Sequence, residues 1–276
     1  MTTRIWYQSL TDLEQLPGYA RQLAEHAAAS ARPGTEVDVH GVAPGTYPAD
    51  VTPIDVLRFP AAEYFLNVQV LRNALRAESA GYDAFAVGCF FDPVLTELRS
   101  AVDIPVVSIC ESTLAMSAHA GLRLGMVGIA GVNRDRLETL VERYGHGSRV
   151  AAIVGIEPPL TEDDLDAGYH DPAPLLPRFE AAAARCADAR ADLVIPAEGV
   201  FNSLLTRAGI RTLAGLPVVD ALAALLSHAE ALVHLGRTTG LATSRRHGLA
   251  RAPEHVLEAA MSSAFGPALG THEVVG

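Results

Sequence analysis

The sequence predicts an α/β protein of two pseudo-symmetric lobes, each a parallel sheet flanked by helices, with the active site in the interlobe cleft. Three observations carry this. Short β-rich runs alternate with alanine-rich helical stretches from end to end, the order that builds parallel sheets covered on both faces. The stretch "DAFAVGCFFDP" from Asp83 returns as "DLVIPAEGVFN" from Asp192, 109 positions later, and after three further residues "DIPVVS" is matched by "GLPVVD". With 276 residues, 49% of them hydrophobic, the chain can bury two lobes of ordinary size.

Taken in order, Arg4–Gln8 opens the chain as an aromatic and β-branched strand, followed by an amphipathic helix over Leu13–Ser30 and a strand at Glu36–His40. "HGVAPGTYPADVTPIDVLRFP" then reads as a long Pro- and Gly-rich loop. A helix over Ala61–Ala80 leads to the apolar strand Asp83–Val87, a helix opening at Pro93, and the strand Val106–Ile109. The second lobe repeats the scheme with strands Arg123–Ile129, Arg149–Val154, Asp192–Ile195 and Pro217–Val219, and helices Arg134–Tyr144 and Pro174–Arg190. "EPPLTEDDLDAGYHDPAP" reads as a second long loop, and loops of this length in a compact α/β protein close over sites often enough to be watched. A helix over Ala221–Leu235 returns to the first lobe, so residues 1–117 plus 221–276 form one lobe and 118–220 the other.

Composition excludes several functions. A formal net charge of −11 argues against a nucleic-acid partner, because phosphate binding needs clustered cations. All 21 basic residues are arginine, so neither a PLP Schiff base nor a Walker A loop, each of which needs lysine, is available. Three widely spaced cysteines, with no C-x-x-C or H-E-x-x-H spacing, fit reduced thiols and no metal site. "MTTRIWYQSLTDLEQ" is no signal peptide and no apolar run is long enough for a bilayer, so a cytoplasmic protein without a membrane partner is expected.

The repeat places Cys89 opposite Glu198, since both lie 109 positions apart at the ends of equivalent strands. Strand-end turns in parallel sheets face the ligand site. Two such turns related by a pseudo-twofold axis would set a thiol and a carboxyl on opposite sides of one cleft. On composition alone Cys89 is better read as a buried small hydrophobe and Glu198 as a turn carboxylate; the repeat favours function for both. Cys110 and Cys186 read as packed thiols, Asp220 as a helix cap, and His40, His119 and His228 share no spacing.

"GYDAFAVGCFFDPVLTELRSAVDIPVVSICES", "GLRLGMVGI", "ADLVIPAEGVFNSLL" and "GLPVVDALAALLSHAEALV" together resemble the aspartate/glutamate/hydantoin racemase superfamily, with "GCF-x-DP" nearest its hydantoin racemase branch. The resemblance implies a cofactor-independent racemase or isomerase that removes a proton beside a carbonyl or carboxylate on one face and returns it on the other. Cys89 matches the first of the family's two cysteines, and Glu198 stands where the second would be. The resemblance further implies that Gln8, Ser9 and Thr11 meet substrate polar groups, with Gly199 nearby; Glu111, at the end of a "PVV" strand, is placed either to bind substrate or to cap the following helix. The N–H groups of Phe90 and Phe91 would cradle an enolate. A helix N-terminus after Cys89 would favour its thiolate. The expected partner is a small carbonyl or carboxylate compound, and a homo-oligomer is expected. A single-cysteine decarboxylase, lyase or hydrolase, or a non-catalytic ligand-binding protein, would also suit this fold.

Overall fold

A computed structural model of the chain describes residues 2–48, 51–129 and 134–265. Lobe one is built on β1 (Thr3–Gln8), β2 (Thr35–His40), β3 (Ala84–Val87) and β4 (Val106–Ser108), hydrogen-bonded in the order β2-β1-β3-β4. Lobe two has β5 (Leu124–Gly128), β6 (Val150–Gly155) and β7 (Leu193–Pro196) in the order β6-β5-β7, and Val218 forms a parallel bridge to Val194 on the outer edge. Every pairing within these two sheets is parallel. The strand order of one lobe therefore repeats in the other.

The repeat extends to individual hydrogen bonds. Asp83 donates its amide to the Arg4 carbonyl (2.8 Å) while its carboxylate accepts from the Arg4 amide (2.8 Å). Asp192 makes the same pair of bonds to Arg123, at 2.7 and 2.8 Å. At the other end of these strands the Gly88 amide donates to Gln8 (2.8 Å) and the Ala197 amide to Val127 (2.7 Å). Each aspartate thus fixes where its strand begins, and the chain leaves the sheet at equivalent points.

Helices cover both sheets: α1 (Pro17–Ser30), α2 (Pro53–Leu57), α3 (Pro60–Ser79), α4 (Leu95–Ala101) and α5 (Ile109–Ser117) in lobe one. Lobe two adds α6 (Arg134–Arg143), α7 (Glu162–His170), α8 (Leu176–Asp188) and α9 (Gly199–Arg207). The closing helix α10 (Ala221–Thr239) packs on α5, α1 and β3, and α11 (Glu254–Phe265) ends the described chain. β3 and β5 are buried along their whole length, which is why they read as unbroken apolar runs. One core runs through both lobes, from Ile5 and Tyr7 to Leu124 and Met126, while Trp6, Phe85 and Val70 fill the other face of the first sheet.

Three expectations are corrected. The strand expected over Pro217–Val219 shrinks to a bridge, because Pro217 has no amide to donate and Leu216–Pro217 (β9) instead pairs antiparallel with Thr212–Leu213 (β8). The two expected loops contain helices α2 and α7. Each starts at a capping box, Thr52 with Asp55 and Thr161 with Asp164, in which side chains and backbone amides bond reciprocally. The helix after Cys89 begins at Leu95 rather than Pro93, since Asp92 and Val94 both take left-handed backbone at φ 45°. Among the described residues no helix is long and apolar enough to cross a membrane.

Candidate active site

Strand β3 delivers Cys89 to the cleft through Gly88. A side chain at Gly88 would collide with the Tyr7 hydroxyl beneath it, so glycine is what lets the Cys89 turn lie flat on the sheet end. Cys89 is 8% exposed, whereas Cys110 and Cys186 are wholly buried. Burial pushes the Cys89 thiol well above its ordinary range. The Phe91 amide and the Arg136 guanidinium act against that shift, and the charges of Glu63 and Asp92 add to it. The expected thiolate bias is met only in part: the Phe91 amide favours the thiolate, but α4 starts six residues on from Cys89 and burial outweighs the amide.

The turn is braced from below and across the cleft. The buried Asp92 carboxyl accepts from the amides of Cys110 (3.2 Å) and Glu111 (3.0 Å) at the start of α5, and from the Tyr144 hydroxyl of lobe two (2.7 Å). Burial pushes the Asp92 carboxyl up to about 6, with the Tyr144, Ser108 and amide bonds opposing the shift. Arg136 on α6 reaches back to the Leu57 carbonyl (2.7 Å) and the buried Glu63 carboxylate (2.6 Å), with its guanidinium 4.0 Å from the centre of the Phe91 ring. Both contacts tie lobe two to the segment around the thiol.

Strand β7 delivers Glu198 in the same way. It is the N-cap of α9, in extended backbone, and its carboxylate accepts from the Phe201 amide at 2.8 Å. The two turns nearly touch: a Cβ on Gly199 would stand 3.4 Å from the Gly88 carbonyl oxygen and 3.6 Å from the Tyr19 hydroxyl. Cys89 and Glu198 line one small cavity of about 80 Å³ between the lobes. Ser9, Thr11 and Tyr19 add neutral polar groups to its wall, and Leu57, Phe90 and Ile129 are among its apolar ones. A base and an acid on opposed turns around one small space can move a proton on and off a single carbon.

The chain matches the description "Asp/Glu/Hydantoin racemase" over residues 18–229. It belongs to that family. It is accordingly a PLP-independent racemase or isomerase of the cofactor-independent kind. A hydantoin racemase of Pseudomonas sp. (strain NS671) is 29% identical over 221 residues, spanning 78% of this chain and 81% of the relative. A hydantoin racemase of Rhizobium meliloti is 27% identical over 170 residues, spanning 62% and 68%. In three dimensions the chain is similar to allantoin racemase from Klebsiella pneumoniae, with a TM-score of 0.74 over 92% of this chain and 95% of the other. At 23% identity that likeness speaks to the fold.

In this racemase family member, the residues singled out from sequence divide in two. Ser9, Thr11, Cys89, Phe90, Phe91, Glu198 and Gly199 line the cavity. Gln8 and Glu111 do not. Gln8 is fully buried, and its amide donates to the Ser9 (2.7 Å) and Gly41 (3.0 Å) carbonyls while its oxygen accepts from Trp6 (3.0 Å) and Asn73 (2.9 Å). Those four bonds use its capacity within lobe one. Glu111 forms a two-pronged ion pair with Arg99. Asp220 caps α10, as expected, by accepting from the Ala223 amide (3.1 Å). Among the described residues no group of three or more His, Cys, Asp or Glu is placed to hold a metal.

Sequence reasoning missed Tyr7 and Tyr19. Both are nearly fully buried, at 0% and 4% exposure, and both feel the charges of Glu198 and Cys89. Burial, reinforced by Glu198, holds the Tyr19 phenol well above the ordinary tyrosine range. In sequence each is one more aromatic residue on an apolar face, and nothing in its spacing sets it apart.

Proposed function

We propose that the protein racemises a hydantoin-type ring at the carbon beside its carbonyl, with Glu198 and Cys89 as the opposed base and acid. Glu198 takes the α-proton from one face, the electron pair of the broken C–H bond spreads onto the carbonyl as an enolate, and the Cys89 thiol protonates the opposite face. The proton then passes from Glu198 to the Cys89 sulfur through solvent, or the reverse reaction uses the groups in exchanged roles. The observation that carries this is the shared cavity: two residues at repeat-related strand ends, one thiol kept protonated by burial, one carboxylate at a helix N-cap.

The cavity wall supports an uncharged ring amide over a free amino acid. Its polar side chains besides the pair are the neutral Ser9, Thr11 and Tyr19, set among apolar ones, and the Glu198 charge would repel a substrate carboxylate. The hydantoin racemases among its relatives point the same way. The test starts from one enantiomer of C5-methyl hydantoin, whose substituent is small enough for the cavity, in deuterium oxide. At early times the newly formed enantiomer should carry deuterium at C5 and the remaining starting enantiomer should not. A product of lower mass would show bond cleavage instead, and absence of both rotation loss and exchange would overturn the proposal.

A further inference from the structure

We propose that Tyr19 is a third catalytic residue, donating a hydrogen bond from its phenol to the ring carbonyl oxygen as that oxygen gains charge in the transition state. This rests on the racemisation proposed above and adds a group to it. Removing a proton beside a carbonyl shifts negative charge onto the carbonyl oxygen, and in a site walled by Leu57, Phe90 and Ile129 that charge needs a fixed donor. Cys89 and Glu198 are both committed to proton transfer. The Phe91 amide is directed at the Cys89 sulfur, which leaves the Phe90 amide as the one backbone donor of the expected pair and a place for a side-chain donor beside it.

Tyr19 stands where such a donor is required. It comes from α1, a third element beside the two catalytic turns, and lines the same cavity as both. Its hydroxyl lies beside the Gly199 backbone, 3.6 Å from the site of an added Cβ, at the point where the two turns approach each other. The Ser9 and Tyr7 hydroxyls are its polar neighbours on the protein side. Tyr7 makes no hydrogen bond of regular geometry, and it is locked in place by the Gly88 backbone above it. A hydroxyl proton rotates to suit its acceptor, so the Tyr19 O–H, with Ser9 and Tyr7 on its protein side, can turn toward a carbonyl oxygen in the cavity. A phenol held above the ordinary tyrosine range by burial remains a donor throughout the working pH range and does not compete with Glu198 as a base. Rigid ring packing against Tyr169, with centroids 6.1 Å apart, fixes its direction.

The experiment compares Tyr19→Phe with the wild-type protein in three readouts. The kcat for racemisation of C5-methyl hydantoin should fall about 10²-fold or more from either enantiomer, with KM changed by a few-fold at most. The limbs of the pH–rate profile should stay where they are, because a hydrogen-bond donor does not titrate in that range. Urazole, an acidic planar ring with nitrogen in place of the reacting carbon, binds as an enolate-like anion. Its affinity should fall by a factor close to that in kcat, whereas neutral hydantoin should bind as before. Ser9→Ala, which keeps the phenol, should lower kcat several-fold only and serves as the variant to read if Tyr19→Phe fails to fold; an unchanged kcat there would count against the proposal. Wild-type kcat in Tyr19→Phe, or a fall in kcat without loss of urazole affinity, would overturn it. Cys89→Ser and Glu198→Gln run in parallel separate the two proposals. If they abolish racemisation while Tyr19→Phe does not, the Tyr19 assignment alone fails; if they leave it intact, the acid/base pair itself is wrong.

Discussion

Cys89 and Glu198 each stand one residue beyond a matching cross-strand bond, Gly88 to Gln8 in one lobe and Ala197 to Val127 in the other, and both line one cavity. Their equivalence is a property of backbone hydrogen bonding, while their side chains differ in chemistry. A thiol whose proton is held by burial faces a carboxylate that caps a helix.

The thiol side makes a prediction about reactivity. Iodoacetamide should label Cys89 in the folded protein and spare Cys110 and Cys186, because Cys89 alone combines exposure with a cavity wall. Labelling should be slow at neutral pH and accelerate steadily as pH rises, since burial keeps the thiolate fraction small. Intact-mass and peptide analysis before and after urea unfolding checks this; faster labelling of either other cysteine in the folded state would contradict it.

Arg136 holds the segment around the thiol to lobe two. Arg136→Ala removes its bonds to Leu57 and Glu63 and its contact with Phe91, leaving a carboxylate that is 3% exposed without its cation. Urea denaturation should show a loss of about 2–4 kcal/mol. The double variant Arg136→Leu with Glu63→Leu should lose less than the single one, because no buried charge remains.

Asp92 gives stability a pH dependence of defined sign. Burial raises its carboxyl to about 6 in the folded state, above the unfolded value near 4. The folded protein therefore binds the extra proton: the contribution is fully present below about pH 4 and is lost as pH rises through about 6. Asp92→Asn does not titrate. Relative to that variant, the wild-type protein should gain stability by up to about 3 kcal/mol between pH 7 and pH 4, read by urea denaturation at each pH. A difference that stays constant or grows with pH would contradict the assignment.

Much of this was legible in the residues. The 109-residue offset links Asp83 with Asp192 and Cys89 with Glu198, and the structure gives the paired aspartates the same bonds and the other pair the same cavity. Repeated hydrogen-bond geometry leaves a trace in sequence because it demands the same residue at the same offset. Gln8 was misplaced because a polar side chain at a strand end can face substrate or saturate itself on neighbouring carbonyls, and only the approach of Gly41 and Asn73 decides which. The capped helices α2 and α7 were hidden by the Pro- and acid-rich segments around them, where the brief periodic signal is outweighed by turn residues. Tyr19 and Arg136 act through contacts with distant segments, which no local pattern encodes.

The most direct measurement of the Cys89–Glu198 pair follows chloride release from the two enantiomers of C5-chloromethyl hydantoin, whose carbanion expels chloride after a single proton abstraction. Cys89→Ser keeps the Glu198 base and should release chloride from one enantiomer; Glu198→Gln leaves only the thiol, whose thiolate fraction burial keeps small, so it should release chloride from the other enantiomer slowly at neutral pH and faster as pH rises, while both variants lose racemisation by about 10²-fold or more. Chloride release from the same enantiomer in both variants, or from both enantiomers in either one, would contradict two opposed bases at these positions.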